Sequence, residues 1–347
     1  MSIYESIIGH QSIVDLLVSE GEHPAQSYLF VGPQGVGKAT VARVFAGALL
    51  GGTEDIARRV STGVHPDLIL VEPDGRTSIT VDQAHETVAL ASRRPVESDR
   101  KVFLFEDGGM MTDEAANALL KTIEEPTAST VFLLVMESED DVPSTIASRC
   151  RTIVFGRVPE AALADELVRQ GIEPEQATQA ARISGGRPGL ALALATRPDV
   201  AAYRRTWLEI PTHLPEHPGD AMRLADEVIA AADPLLAALK ERQSAEGHGE
   251  VKANKERHDR ELKRAESALF TTGLEILASF YRDTAAAQLG AATRNSDLAT
   301  HHLTLSTPQR AVASASRVLD TIELLESNQK PRLAFAALFA DLGSDAR

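Results

Sequence analysis

A glycine-rich segment that ends in a lysine offers the clearest chemistry in the sequence. In LFVGPQGVGKAT, Gly32, Gly37 and Lys38 have the G-x-x-x-x-G-K spacing of a P-loop, between the apolar pattern 28–31 and an amphipathic helix pattern over 38–50. Glycines let backbone N–H groups turn toward phosphate oxygens, the helix N-terminus adds partial positive charge, and the lysine reaches the terminal phosphates. The segment therefore predicts a nucleotide-type phosphate site.

The residue after the lysine departs from a complete P-loop. That position normally carries the Ser or Thr hydroxyl that binds magnesium, and this sequence has Ala39. Thr40 follows, but one residue along a helix is a rotation of about 100°, which turns its hydroxyl away from the phosphates. We expect a phosphate cradle that lacks one magnesium ligand.

Two acidic residues follow another apolar pattern. Glu106 and Asp107 end KVFLFED, where ligands gather at the carboxyl edge of an open α/β sheet. The usual order in P-loop ATPases is Asp and then Glu, so each carboxylate is displaced by one methylene, and phosphoryl transfer is sensitive to such displacement. The alternative interpretation is an acidic turn that only ends a strand.

The elements that must position these residues divide the chain by type. Five short apolar segments predict buried strands separated by helix-length segments, which favours a parallel sheet with crossover helices: SYLFVG, DLILVEP, KVFLFED, TVFLLVME and RTIVF. From Pro159 onward no convincing strand pattern appears. Short helices are predicted up to Ala195, and Ala- and Leu-rich helices from Ala201 onward.

Composition excludes several classes of protein. The chain has 347 residues, 43% of them hydrophobic and 24% charged, which are ordinary globular values. The net charge of −15 disfavours general attraction to nucleic acid or anionic lipid. The single cysteine, Cys150, excludes an intramolecular disulfide, and no stretch approaches the ~18 apolar residues of a membrane span. We expect a cytoplasmic protein without a membrane partner.

One segment, 240–266, is crowded with charges of both signs. Interleaved signs stabilise an exposed helix through neighbouring pairs, which favours a solvated helical extension with a flexible tip at Gly247–Gly249. The alternative is a coiled-coil-like arm that reaches a partner or DNA.

In combination the motifs resemble the AAA+ clamp-loader subunits of bacterial DNA polymerase III, and within that family the delta-prime type. The resemblance covers nearly the whole chain, and AANALLKTIEEP and the SRC that ends at Cys150 are its most specific segments. The other matching segments are YESIIGHQSIVDLL, the P-loop, VHPDL, EDGGMMTDE, TVFLLV, PSTIASRC and SNQKPRLAFAALFADL.

The resemblance implies roles for particular residues. The arginine of SRC is Arg149, which in such assemblies reaches the ATP of a neighbouring subunit as an arginine finger, and a guanidinium fork suits γ-phosphate oxygens. The alternative is a surface arginine at a strand start. Ile8, within 7–9, matches a segment near the adenine. Residues that would line bound phosphates are Gly32, Gly35, Gly37, Lys38 and Thr40, with Glu106 and Asp107 nearby.

Several departures from the family pattern point away from ATP hydrolysis. GGTEDIARRVSTGV contains none of the four cysteines that usually bind zinc in relatives, so no zinc is expected. Met136 and Glu137 stand where motor subunits have a small polar sensor, and Pro188 where they have a sensor arginine, with Arg187 one place off. ATP is a possible ligand, and we expect magnesium binding and ATPase activity to be weak or absent.

These inferences predict an α/β fold: an AAA+ P-loop parallel-sheet domain over 1–158, a small helical lid over 159–200, and an all-α collar domain over 201–347 that contains the charged insertion 240–266. The predicted function is that of a delta-prime-like scaffold that gives Arg149 to a motor subunit in a hetero-oligomeric ring, which loads the sliding clamp onto primed DNA.

The competing function is an active AAA+ ATPase, either a motor subunit of the same loader or another remodeller. It would be marked by Ser or Thr at position 39, a polar sensor near Met136 and Arg at position 188, and none is present. A small-molecule P-loop kinase is disfavoured because it also needs the metal ligand and because the helical half lacks evident substrate chemistry.

Overall fold

A computed structural model describes residues 3–73, 78–246, 252–295, 297–298, 302–327 and 329–345. The chain forms two compact units, Met1–Leu192 and Ala193–Arg347. The predicted divisions after residues 158 and 200 stay predictions. Among the described residues, no helix is both long enough and apolar enough to cross a membrane.

The first unit alternates strands with helices. Its strands are β1 (Ser27–Val31), β2 (Leu68–Leu70), β3 (Lys101–Phe105), β4 (Thr130–Met136) and β5 (Arg151–Val154). Its helices are α1 (Gln11–Glu20), α2 (Lys38–Leu49), α3 (Glu54–Ser61), α4 (Val81–Ala91), α5 (Asp113–Glu124), α6 (Ser144–Ala147), α7 (Glu160–Arg169), α8 (Pro174–Ser184) and α9 (Pro188–Thr196), which crosses the border between the units. All five predicted strands are present.

The strands form one parallel sheet in the order β2-β3-β4-β1-β5. Because β1 lies in the interior, between β4 and β5, the chain reverses its direction of winding there, and open α/β sheets bind ligands at the carboxyl ends of strands at such a point. The carboxyl end of β1 is Val31, next to the P-loop. The sheet thus puts the glycine-rich segment where a ligand is expected.

Alternating side chains of the strands fill two cores, one on each face of the sheet. Tyr28 and Phe30 pack with Phe45 of α2 on one face, whereas Leu29 and Val31 pack with helices α4 and α5 on the other. A sheet covered by helices on both faces produces nearly continuous apolar runs, which explains the patterns of β1, β3 and β4, whose residues are all buried.

The second unit has helices and connecting loops, with no strand in its described residues. It contains α10 (Pro198–Glu209), α11 (Pro218–Ala230), α12 (Asp233–Glu246), α13 (Lys252–Gln288), α14 (Pro308–Glu326) and α15 (Pro331–Asp345). Its core surrounds the fully buried Trp207, which packs edge to face on Phe335. The predicted α/β fold class, a P-loop parallel-sheet domain followed by helices and an all-α C-terminal domain, is confirmed in the described residues.

The charged segment is helical where it is described, at the end of α12 and the start of α13. The predicted tip, Gly247–Gly249, lies outside the described residues.

Candidate functional site

The P-loop connects β1 to α2 in the way its sequence predicts. Gly32 follows the strand with a φ of 147°, and a Cβ there would lie 2.2 Å from the carbonyl oxygen of Phe155, so only glycine fits. Gly37 immediately precedes α2, whose first residue is Lys38. The backbone therefore has the strand, turn and helix N-terminus that a phosphate cradle needs.

The P-loop lysine is turned back onto its own loop. Its Nζ donates hydrogen bonds to the carbonyl oxygens of Gly32, at 2.6 Å, and Pro33, at 2.8 Å, and the residue is only 7% exposed. Burial lowers the pKa of Lys38, and the nearby carboxylates of Glu137 and Asp141 act in the opposite direction. Lys38 must exchange these carbonyl contacts before it can bind a phosphate.

In a complete P-loop, one face of the helix that corresponds to α2 binds magnesium. In this chain that face has an ion pair instead. Ala39 and Arg43 are four residues apart and share one face of the helix. Arg43 forms a two-pronged ion pair with Glu106, in which Nε contacts Oε1 and Nη2 lies 2.7 Å from Oε2. The exposed Thr40 lies on a different face. Glu106, one of the two carboxylates predicted to lie near bound phosphates, is therefore already paired with an arginine.

Magnesium does not fit this arrangement. The ion prefers several oxygen ligands in octahedral geometry, and here Ala39 offers none while both oxygens of Glu106 face a guanidinium. Asp107, the second predicted carboxylate, is half-buried at the end of β3. Within the described ranges, no group of three or more His, Cys, Asp or Glu residues is placed to hold a metal ion.

A third carboxylate, which sequence reasoning missed, lies beside the cradle. Asp141 accepts hydrogen bonds at Oδ2 from the backbone N–H groups of Glu137, at 3.0 Å, and Ser138, at 2.9 Å. Glu137 in turn accepts the backbone N–H of Gly32 at its carbonyl oxygen, 3.1 Å away. The segment after β4, near the position at which motor subunits have a polar sensor, thus connects directly to the P-loop through its backbone.

The helices that follow β5 bring an arginine to the cradle. Arg187, immediately before α9, is 9% exposed, and a Cβ on Gly35 would lie 3.0 Å from its Cδ. Its Nε donates to the carbonyl oxygen of Ser184 at 3.1 Å. Although Arg187 is one position away from the expected sensor site at Pro188, its side chain still packs on the P-loop. An arginine therefore lies beside the P-loop even though it is one position away from the aligned sensor site.

The opening segment reaches the P-loop through a residue that the sequence analysis did not single out. His10 donates a hydrogen bond from Nε2 to the carbonyl oxygen of Val36 at 2.8 Å. Ile8, matched to an adenine-contacting segment, is half-buried two residues before His10. The segment around Ile8 is therefore tied to the cradle.

Arg149 lies at the other end of the sheet. It precedes β5, which pairs in parallel with β1 so that Arg151 is level with Tyr28 and Val154 with Val31. About 13 Å of strand, at about 3.3 Å per residue, separates the level of Arg151 from Gly32. The fold therefore brings together the predicted P-loop residues and Glu106, and keeps Arg149 away from them.

The guanidinium of Arg149 is held by its own chain. Its Nε lies 2.6 Å from Oε1 of Glu124, the last residue of α5, and its Nη1 donates to the carbonyl oxygen of Thr145 at 2.8 Å. The Arg149 side chain is 41% exposed. Neither this pair nor the Arg43–Glu106 pair was predicted, because the partners are far apart in sequence and no spacing rule connects them.

Comparison with known proteins finds similarity over most of the first unit. Residues 10–159 match the family model described as DNA polymerase III, delta subunit. The DNA polymerase III subunit delta' of Bacillus subtilis (strain 168) is 36% identical over 166 residues, which are 46% of this chain and 50% of the relative. Subunit delta' of Pseudomonas aeruginosa is 33% identical over 191 residues, 51% of this chain and 58% of the relative.

The chain thus spans about half the length of the curated relatives it matches. A solved structure of a DNA polymerase III gamma subunit-related protein from Thermotoga maritima aligns over 96% of this chain and 99% of its own, with 17% identity and a TM-score of 0.49. The resemblance predicted from the sequence is confirmed for residues 10–159, which match this family model and are similar to delta' subunits of DNA polymerase III.

Proposed function

We propose that this chain acts as a scaffold subunit of the DNA polymerase III clamp loader and gives Arg149 to the ATP site of a neighbouring subunit. The observation that carries the proposal is the position of Arg149, at the end of the sheet opposite its own P-loop. An arginine there cannot serve the cradle of its own chain. A partly exposed guanidinium can serve a cradle brought to it by another subunit, where it would stabilise charge on the transferring phosphoryl group.

The same assembly accounts for the chain's acidic character. A net charge of −15 opposes independent binding to DNA, so we propose that primed DNA and the sliding clamp are engaged through the complex. The other partners would be clamp-loader subunits arranged in a hetero-oligomeric ring. ATP-dependent loading of the clamp during replication would then depend on motor subunits, with this chain completing one of their sites.

Weak or absent ATPase activity of the chain itself forms the second part of the proposal. Lys38 is bonded to loop carbonyls, Ala39 offers no metal ligand, and Glu106 is paired with Arg43. The glycine-rich backbone still suits phosphate groups, so nucleotide binding without turnover is consistent with these contacts. No zinc site is part of the proposal.

An active ATPase remains the second candidate, because of Arg187. An arginine packed on the P-loop is what a nucleotide-responsive lid would use, and Arg187 touches Gly35 although position 188 is proline. The two candidates differ in one measurable property, which is turnover of ATP by the isolated chain.

We predict that the isolated chain hydrolyses ATP no faster than its Lys38→Ala variant. In a working P-loop, removing the lysine abolishes phosphate positioning and therefore hydrolysis. In this chain the magnesium ligand is already missing at Ala39, so removing the lysine should lower the rate no further. Phosphate release measured with magnesium present is the test, and a substantial rate that Lys38→Ala abolishes would establish the ATPase instead. Ala39→Ser alone is expected to leave the rate at background, because Arg43 still holds Glu106.

A further inference from the structure

Glu124 is placed to orient Arg149. It is the last residue of α5, and its Oε1 lies 2.6 Å from Nε of Arg149 across 25 positions of sequence. A carboxylate at the C-terminal end of a helix faces the negative end of the helix dipole, which is locally unfavourable. The arginine offsets this charge, so the pair joins the end of α5 to the turn that carries Arg149.

Two nitrogens of the Arg149 guanidinium, Nε and Nη1, have partners within the chain, and the third, Nη2, faces none that the described residues supply. Glu124 faces Nε, while Nη1 donates to the carbonyl oxygen of Thr145 at 2.8 Å and to Oγ of Ser148 at 3.4 Å. Nη2 donates no hydrogen bond to any residue in the described parts of the chain. Since the guanidinium is planar, fixing Nε and Nη1 also fixes the direction of the two N–H groups on Nη2.

Exposure shows that the pair is open to another molecule. The Arg149 side chain is 41% exposed and that of Glu124 is 38% exposed. Ion pairs of this exposure contribute little to stability, so folding alone does not account for the arrangement. A group that must meet developing charge acts best when its orientation is set before the partner arrives.

We propose that Glu124 is a positioning residue that presents the Nη2 edge of Arg149 to an anionic group, the γ-phosphate region of ATP on an adjoining subunit. The proposal rests on the proposed trans role of Arg149. Glu124 touches neither nucleotide nor phosphate, and it acts only by holding the plane of the guanidinium.

The test is the DNA- and clamp-stimulated ATPase of the loader reconstituted with full-length chains. Arg149→Ala defines the contribution of the site. We expect Glu124→Ala to remove about half or more of the ATPase rate that Arg149→Ala removes, because contacting residues are often strongly coupled. The loss should appear in kcat, with little change in KM for ATP. Glu124→Gln, whose amide oxygen can still accept from the guanidinium, should recover most of the lost rate.

Two further variants separate orientation from general damage. Glu125→Ala removes the neighbouring exposed carboxylate, which forms no ion pair with Arg149 in the described structure, and should leave the rate unchanged. Glu124→Ala combined with Arg149→Ala should be no slower than Arg149→Ala alone, because Glu124 acts only through the arginine.

The outcomes distinguish this inference from the function on which it rests. If Arg149→Ala leaves the rate unchanged, the trans role fails and the positioning role fails with it. If Arg149→Ala slows the loader but Glu124→Ala does not, only the positioning role is overturned. A faster Glu124→Ala loader would show that Glu124 restrains Arg149, and additive losses in the double variant or a Gln variant as slow as Ala would also overturn the inference.

Discussion

Arg149→Ala should leave this chain folded and able to assemble while the stimulated ATPase of the whole loader falls. An arginine supplied in trans is worth about 10³ to 10⁵ in rate at its own site. Other motor sites would carry their own arginines, so we expect the total ATPase to fall partly and clamp loading to fall further. Steady-state ATPase and clamp-loading assays on the reconstituted complex measure both effects.

Two substitutions serve as comparisons. Arg149→Lys should rescue poorly, because an ammonium group does not reproduce the planar fork. Arg58→Ala removes another exposed, ion-paired arginine of the same unit, one whose partner Asp55 lies in its own helix, and should have no effect. Unchanged ATPase and clamp loading with Arg149→Ala would reduce Arg149 to a structural residue.

A glutamate at both Val312 and Leu319 should prevent the chain from joining the complex. These residues are seven positions apart and therefore lie on one face of α14. Val312 is 60% exposed and Leu319 is 51% exposed. Exposed apolar side chains in a row are typical of subunit contacts, and two buried charges in such a contact would be costly. Size-exclusion chromatography of the reconstituted mixture, with circular dichroism of the variant alone, measures the result.

Truncation after Val200 also tests this surface, because it removes nearly all of the second unit. The first compact unit ends at Leu192 and would be retained whole, so the fragment should stay monodisperse but fail to assemble. As a control, glutamate at Val64 and Val96, which are 64% and 74% exposed in the first unit, should leave assembly intact. Assembly by the truncated chain would show that the first unit is sufficient, and assembly by the Val312 and Leu319 variant would show that this face of α14 is not a subunit contact.

Local patterns explain what the sequence could predict. The strands β1, β3 and β4 were predictable because a parallel sheet with both faces covered produces continuous apolar runs, and the P-loop because its spacing is fixed by backbone geometry. The helices after Pro159 were also predictable, since Pro174 and Gly185 mark the start and end of α8.

Long-range side-chain pairs were not predictable in the same way. Arg43 and Glu106 are 63 positions apart, and their contact depends on how α2 packs against β3. The placement of Arg187 beside Gly35 likewise depends on how the chain folds after β5, which an alignment by position does not show. These contacts determine which side chains surround the P-loop, and the P-loop motif, which is local in sequence, does not reveal them.

Magnesium dependence of nucleotide binding tests the central claim most directly, because the account holds that the cradle persists without its metal site. ATP is titrated into the isolated chain with magnesium and again with a chelator, and Lys38→Ala is titrated in parallel. We predict that the ATP affinity, whatever its value, is the same with and without magnesium. ATP binding that tightens severalfold with magnesium and is lost in Lys38→Ala would contradict the account and identify the chain as a metal-using ATPase.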